Sequence, residues 1–237
     1  MKILKEAIEQ YLTKETFGRC DFHTHSFLSD GVLLPMEALR RAHALDIEVY
    51  AITDHASAST LDIIPKVVKD CELATKHWGI IAIPGIELTH VPVGAMDELI
   101  DQSLELGAKL IVIHGETISE PVEKGTNLQA AKNKKADILA HPGLLTKEEA
   151  EYCKKNDVFV EITFNRNHAY TNGHVVDIGR EVGVDFILNT DTHSPKDMIT
   201  YEQAEIVLSG AGLTQEETKK TLQDNVRKLL TQINERL

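Results

Sequence analysis

The chain has 237 residues, 42% of them hydrophobic and 26% charged, which excludes a disordered chain and supplies a buried core. No uncharged run approaches the ~20 apolar residues of a membrane helix, so no membrane partner is expected, and three widely separated cysteines fit a reducing, cytoplasmic setting. Lysine and arginine number 25 against 37 aspartates and glutamates, a net charge of −12 that repels phosphate backbones and argues against long nucleic acid as a partner.

Taken in chain order, MKILKEAIEQYL mixes acids into an apolar pattern and predicts an amphipathic helix rather than a signal peptide. Cys20–Thr24 has the short, β-branched or apolar character of a buried strand. Pro35 opens a helix over Met36–Leu45 at a position where its missing N–H does no harm. Strands are predicted at Ile47–Thr53, Gly79–Glu87, Lys109–His114 and Asp137–His141. The trio Lys132, Lys134 and Lys135 reads as a solvated helix face. Thr146 and Glu149 have capping-box spacing before a helix through Cys153. A strand over Val158–Thr163 follows, Thr171–His174 starts a further helix, and Val184–Thr190 is the last strand. Thr214 and Glu217 repeat the capping box before a closing helix with an apolar stripe at Leu222, Val226, Leu229, Leu230 and Ile233.

Strand follows helix about seven times, with roughly 20 to 33 residues from strand to strand, which suits a closed or nearly closed barrel. The expected fold is α/β, a distorted seven-stranded (β/α)7 TIM-like barrel. No linker or composition shift divides the chain, so 1–237 is expected to form one domain. Cys20, Cys71 and Cys153 are odd in number and widely spaced, giving neither a disulfide framework nor a thiolate metal site.

Chemistry in such a barrel belongs at the C-terminal strand ends. Those ends carry Asp21-Phe-His23-Thr-His25, Thr53-Asp54-His55, Gly85-Ile-Glu87, His114-Gly115, His141-Pro-Gly, Glu161 through Arg166, and Asp191-Thr-His193. His23 and His25, two apart on an extended segment, point to one side, as do Asp191 and His193. Six histidines and three acids gathered at one end of successive strands call for cations to neutralise them. All-nitrogen and oxygen donors favour zinc, manganese or iron. Nine donors exceed one ion, so two or three divalent ions are implied.

Asp21-x-His23-x-His25 with Ser29-Asp30-Gly31, Thr53-Asp54-His55, Gly85-Ile-Glu87, His114, His141-Pro-Gly and Asp191-Thr-His193-Ser-Pro resemble the polymerase and histidinol phosphatase (PHP) superfamily. The resemblance runs from about Asp21 to Pro195. It implies a distorted seven-stranded barrel, a trinuclear metal cluster and phosphoester hydrolysis. By position, His23, His25, Glu87 and Asp191 would hold the first metal. Glu87, His114 and His141 would hold the second, with Glu87 bridging, and Asp30, His55 and His193 the third. Asp30 stands where some relatives have histidine. Asp54 is expected to orient an imidazole from behind.

The expected reaction is attack by metal-bound hydroxide on a small phosphomonoester, as in a histidinol-phosphate phosphatase, with Glu87, Asp191 and His193 at its centre. Arg166 can grip a phosphate bidentately, and His168 beside it is the second expected substrate contact. The helix start at Thr171–His174 offers free N–H groups to an anion, though an ordinary cap explains it as well. His90 follows Glu87 closely enough to face the cleft. His43 and His77 fall on helices, away from the strand ends. Glu116 and His168 are candidates to protonate the leaving group. Two alternatives remain: a nuclease-like phosphoesterase on short or bisphosphorylated nucleotides, and an amidohydrolase-type metallohydrolase. The latter type usually carries a lysine on strand four, where this chain has His114, and favours eight strands. No P-loop, dinucleotide fingerprint or nucleophile elbow is present.

Overall fold

In a computed structural model describing residues 1–237, parallel strands form a nearly closed barrel wrapped by helices. The strands are β1 (Arg19–Asp21), β2 (Ile47–Ile52), β3 (His55–Ala56), β4 (Ile81–Leu88), β5 (Leu110–His114), β6 (Ile138–Ala140), β7 (Phe159–Thr163) and β8 (Phe186–Asn189). Their order is β1-β2-β4-β5-β6-β7-β8. The two-residue β3 resumes the line of β2 and pairs with β4, His55 opposite Glu87. Seven principal strands therefore make the wall, a TIM-like α/β barrel, as the repeat predicts.

The helices are α1 (Lys2–Tyr11), α2 (Pro35–Ala44), α3 (Ile64–Trp78), α4 (Met96–Glu105), α5 (Thr126–Lys132), α6 (Lys147–Asn156), α7 (Asn172–Val182), α8 (Tyr201–Gly210), α9 (Gln215–Lys219) and α10 (Asn225–Glu235), with a π-helical turn joining the last two. Pro35 occupies the first turn of α2, and the capping boxes at Thr146 and Thr214 are formed. The apolar faces of α1 (Leu4, Ile8, Tyr11) and α10 (Val226, Leu229, Leu230, Ile233) join one core with inward-facing Ile83, Val112, Ile138, Phe159 and Ile187. These two helices thus floor the barrel at the end opposite the mouth.

Strand alternation carries the site. Side chains two apart share a face, so the faces that bury Ile83, Val112, Phe159 and Ile187 deliver Glu87, His114, Glu161 and Asn189 inward at higher levels. The predicted strands run past the observed ones at their ends, because the last residues turn away to make the mouth. β1 stops at Asp21, leaving His23 and His25 beyond the ladder, held by the Thr24–Thr192 bridge and by His25 N–H donating to Thr192 O at 2.8 Å.

No ladder joins β8 to β1. Side chains knit that seam instead: Asn189 Oδ1 accepts from Phe22 N–H at 2.9 Å, and Asp21 accepts from Thr190 N–H at 3.1 Å and its hydroxyl at 2.6 Å. Two glycines permit the loops after β5 and β6 to meet. A Cβ on Gly115 would lie 2.2 Å from Ala140 O, and one on Gly143, at φ +64°, 2.0 Å from Glu116 O.

Candidate metal centre

The nine expected donors converge at the barrel mouth. Glu87, fully buried, lies at the middle: Oε1 is 3.2 Å from His23 Nε2 and 3.5 Å from His141 Nε2, while Oε2 is 2.6 Å from His55 Nδ1. Asp191 Oδ1 lies 2.9 Å from His25 Nε2 and 3.7 Å from His23 Nε2. Asp30 Oδ1 meets His193 Nε2 at 3.2 Å and His55 Nε2 at 3.6 Å. His114 packs edge-on against His141, ring centroids 4.5 Å apart. Its Nε2 faces Glu120 Oε2 at 3.3 Å, and one of its ring nitrogens lies within 4.8 Å of one from each of His141 and His168.

Three of the six rings are fixed from behind. Nδ1 of His23 lies 2.8 Å from Glu161 Oε1, that of His114 3.2 Å from Gly115 O, and that of His193 2.9 Å from Asp191 O. His55 Nδ1 also meets Thr89 Oγ1 at 2.6 Å. Anchoring one ring nitrogen turns the other toward the cluster, the habit of ligating histidines. Backbone strain marks the same place. Five non-glycine residues have positive φ. Asp46 and Asp157 follow helix ends, whereas His90 (+51°), His141 (+28°) and Asp191 (+52°) ring the cluster.

Electrostatics sort the donors by charge. Burial opposes ionisation of Glu87 and Asp191, yet the neighbouring imidazoles, His23 foremost, hold both well below the usual carboxylate range. Burial, with His55 beside it, pushes His25 down to about 3. Burial likewise takes His114 down to about 4 despite Glu87. His193 is raised to about 9 because its bond to Asp30 and the field of Asp191 outweigh burial. Neutral imidazoles and ionised carboxylates are the forms that bind a dication. Glu87 Oε1, Asp191 Oδ1, His25 Nδ1 and both ring nitrogens of His141 are buried without a hydrogen bond. Each such atom costs about 1–3 kcal/mol when left unpaired, so the donor set fits borderline divalent ions.

Beside the cluster lies a cleft of about 370 Å³ whose one apolar side chain is Phe164, with Arg166 and Lys196 on its walls. Side chains or carbonyls engage Arg19, Arg40, Arg41, Arg180, Arg227 and Arg236, which leaves Arg166 the one arginine with no hydrogen-bond or ion-pair partner. His168 is 5% exposed and stacks on His141.

Two expectations are corrected. Asp54 does not orient His55: its oxygens accept from Ser26 N–H, Ser26 Oγ and Ser29 Oγ at 2.6, 2.7 and 2.7 Å, tying down the loop that carries Asp30. Glu116 does not line the cleft: its Oε1 accepts from both Gly125 and Asn127 N–H, which turns it to the start of α5. His90 does face the site, through Glu120 at 2.9 Å, while His77 is exposed and His43 pairs with Arg40. At the start of α7, Asn172 is spent on both backbone groups of Thr163. Sequence reasoning missed Glu120, which sits on a loop with no periodicity, and gave Glu161 no task, although both lie against the imidazoles.

Barrel and site together define a metallo-barrel with a histidine–carboxylate mouth. The chain belongs to the same family as the uncharacterized protein MJ1295 of Methanocaldococcus jannaschii, with 48% identity over 217 residues, 91% of this chain and all of that one. No protein-family model matches it. It is 23% identical to the probable phosphatase TTE1963 of Caldanaerobacter subterraneus, across 92% of each chain. It is also 28% identical to the DNA polymerase/3′-5′ exonuclease PolX of Bacillus subtilis, over 73% of this chain but 34% of that one. Among solved structures, a chain of archaeal ribonuclease P superposes with TM-score 0.68 at 11% identity, over 89% of this chain and 90% of that one. Histidinol phosphate phosphatase from Lactococcus lactis, complexed with zinc, L-histidinol and phosphate, gives 0.59 at 14%, over 83% and 94%. An amidohydrolase gives 0.60 at 11%, over 92% and 75%. At such identities these three share the fold alone. The phosphatase and PolX relatives support the PHP superfamily that the motif order resembles.

Proposed function

We propose that this protein is a metal-dependent phosphoesterase of the PHP type that hydrolyses a small phosphomonoester. The observation that carries the reading is the convergence of six imidazoles and three carboxylates on one mouth, buried at its centre and open at Asp30, with several polar atoms unpaired. The relative named as a probable phosphatase over nearly its whole length supports it, as does a barrel shared with a zinc-bound histidinol phosphate phosphatase.

His23, His25, Glu87 and Asp191 would hold one ion, Glu87, His114 and His141 a second, and Asp30, His55 and His193 a third. Bound zinc, manganese or iron would supply Lewis acidity toward phosphate oxygens and acidify water near neutral pH. The protein's own share is positioning and charge, which suffices for in-line displacement at phosphorus. Glu87 bridges the donor groups, Asp191 holds His25 in place, and His193 stands at the cleft edge beside Asp30. Arg166, free of other partners, would take non-reacting phosphate oxygens bidentately. The polar cleft suits a small hydrophilic ester.

The reading is tested by phosphate release from a panel of phosphomonoesters and short phosphodiesters with manganese or zinc added. Strong release from one monoester, absent in His23→Ala and Glu87→Ala, is the expected result. Release from diesters or bisphosphorylated nucleotides alone would favour the nuclease-like reading, for which PolX is the supporting relative. Silence with metal bound would return the amidohydrolase alternative.

A further inference from the structure

We propose that His168 is itself a metal ligand, completing the ion position lined by His114 and His141. The inference rests on the metal reading above and goes beyond the nine donors that the motifs supply. A loop histidine that closes a turn through its own N–H, donated to Asn165 O at 3.0 Å, and stands two residues from a cleft arginine would ordinarily serve the substrate from an exposed position. This one is 5% exposed. Its ring stacks on His141 with centroids 4.2 Å apart and stands edge-on to His114 at 6.0 Å. One ring nitrogen from each of the three lies within 4.8 Å of the others.

His168 is anchored as His23, His114 and His193 are. Its Nδ1 lies 2.7 Å from Thr117 Oγ1, which turns Nε2 to the cluster, 3.9 Å from Asp191 Oδ2 and 3.8 Å from Glu120 Oε1. His23 has the same plan, with Glu161 behind Nδ1 and Nε2 among the donors. The two loops involved are also clamped to each other, because the Ser119 hydroxyl donates to Asn167 O. A ring held from behind by a neighbouring loop, with its free nitrogen facing a second, unpaired imidazole, is built to share an ion with it.

Chemistry narrows the ion. His114, His141 and His168 with Glu87 make three nitrogens and a carboxylate oxygen, four protein donors, the number that holds zinc firmly. Without His168 the position has two nitrogens and one carboxylate, a set closer to what manganese accepts. His168 thus makes this the tight zinc position of the cluster.

The test is zinc titration of metal-stripped protein by calorimetry, metal content after dialysis, and the visible spectrum of the cobalt(II)-loaded protein. His168→Ala should lose one ion on dialysis, bind it more than about 100-fold more weakly, and lose part of the cobalt absorption. Thr117→Val should weaken the same ion by about 10-fold, the cost of an outer partner. Should His168→Ala fold poorly by circular dichroism, His168→Gln keeps the volume without the ring and replaces it. Unchanged zinc content, affinity and cobalt spectrum in the variant, with wild type loading normally, would overturn this assignment alone. Wild type that binds no dication would overturn the metal reading and this inference together.

Discussion

Glu161 shows how a residue without chemistry of its own can govern the site. One oxygen accepts from the His23 ring at 2.8 Å and from Asn189 Nδ2 at 2.9 Å, and the other accepts from His141 N–H at 3.0 Å. A single buried carboxylate therefore sets the direction of one ligand's ring and pins the strained backbone of another. Glu161→Gln keeps the shape but turns an amide NH2 toward a donor, so metal affinity should fall by about 10- to 100-fold while the fold persists. Calorimetric titration beside an unchanged far-ultraviolet spectrum checks this. Eight of the nine donors were legible because each stands at or just past a strand end, whereas Asp30, on the loop between β1 and α2, came only through the family resemblance. The service of Glu161 was not, since spacing tells which way a side chain faces and not which ring it meets. The same limit hides the positive φ of His141 and Asp191, which tertiary packing imposes against local preference.

At the scale of elements, Asp54 fastens the loop between β1 and α2. Three hydrogen bonds reach it from Ser26 and Ser29, immediately before Asp30. Asp54→Ala would leave the buried Ser26 donors unpaired, at about 1–3 kcal/mol, and free Asp30 to drift from His193. The expected outcome is a lower melting temperature and selective weakening of the ion at Asp30, His55 and His193. Metal titration would show the other positions intact. Helix starts were legible in detail, because a capping box is written in four consecutive residues. Strand ends were overextended, because the chain leaves the ladder to form the mouth while its apolar pattern continues.

For the whole molecule, the repeat of strand and helix specified the barrel, and net charge spoke only to partners. The cluster also sets how the metal-free protein responds to acid. His25 and His114 are held down to about 3 and about 4 in the fold, chiefly by burial, against an unfolded value near 6.5. Between these limits the unfolded chain binds more protons, so stability falls as the pH drops. His23, His55, His141 and His193 are raised in the fold because neighbouring carboxylates outweigh burial; well below about pH 6.5 they are protonated in both states and leave the slope there unaltered. Urea unfolding of metal-stripped protein should give a lower midpoint at about pH 5 than at about pH 6, below the unfolded histidine value. A flat midpoint over that window would contradict the buried neutral imidazoles.

The unladdered join between β8 and β1 gives the ions a second consequence. His23, His25 and Asp30 follow the first strand, Asp191 and His193 follow the last, and the pairs His25–Asp191 and Asp30–His193 reach across that join. A cation shared by such a pair would act as a clasp on the sheet's two free edges, which lie at opposite ends of the sequence. Loading the centre would then fasten the ring as well as arm it, and stripping it would loosen the barrel first along one line.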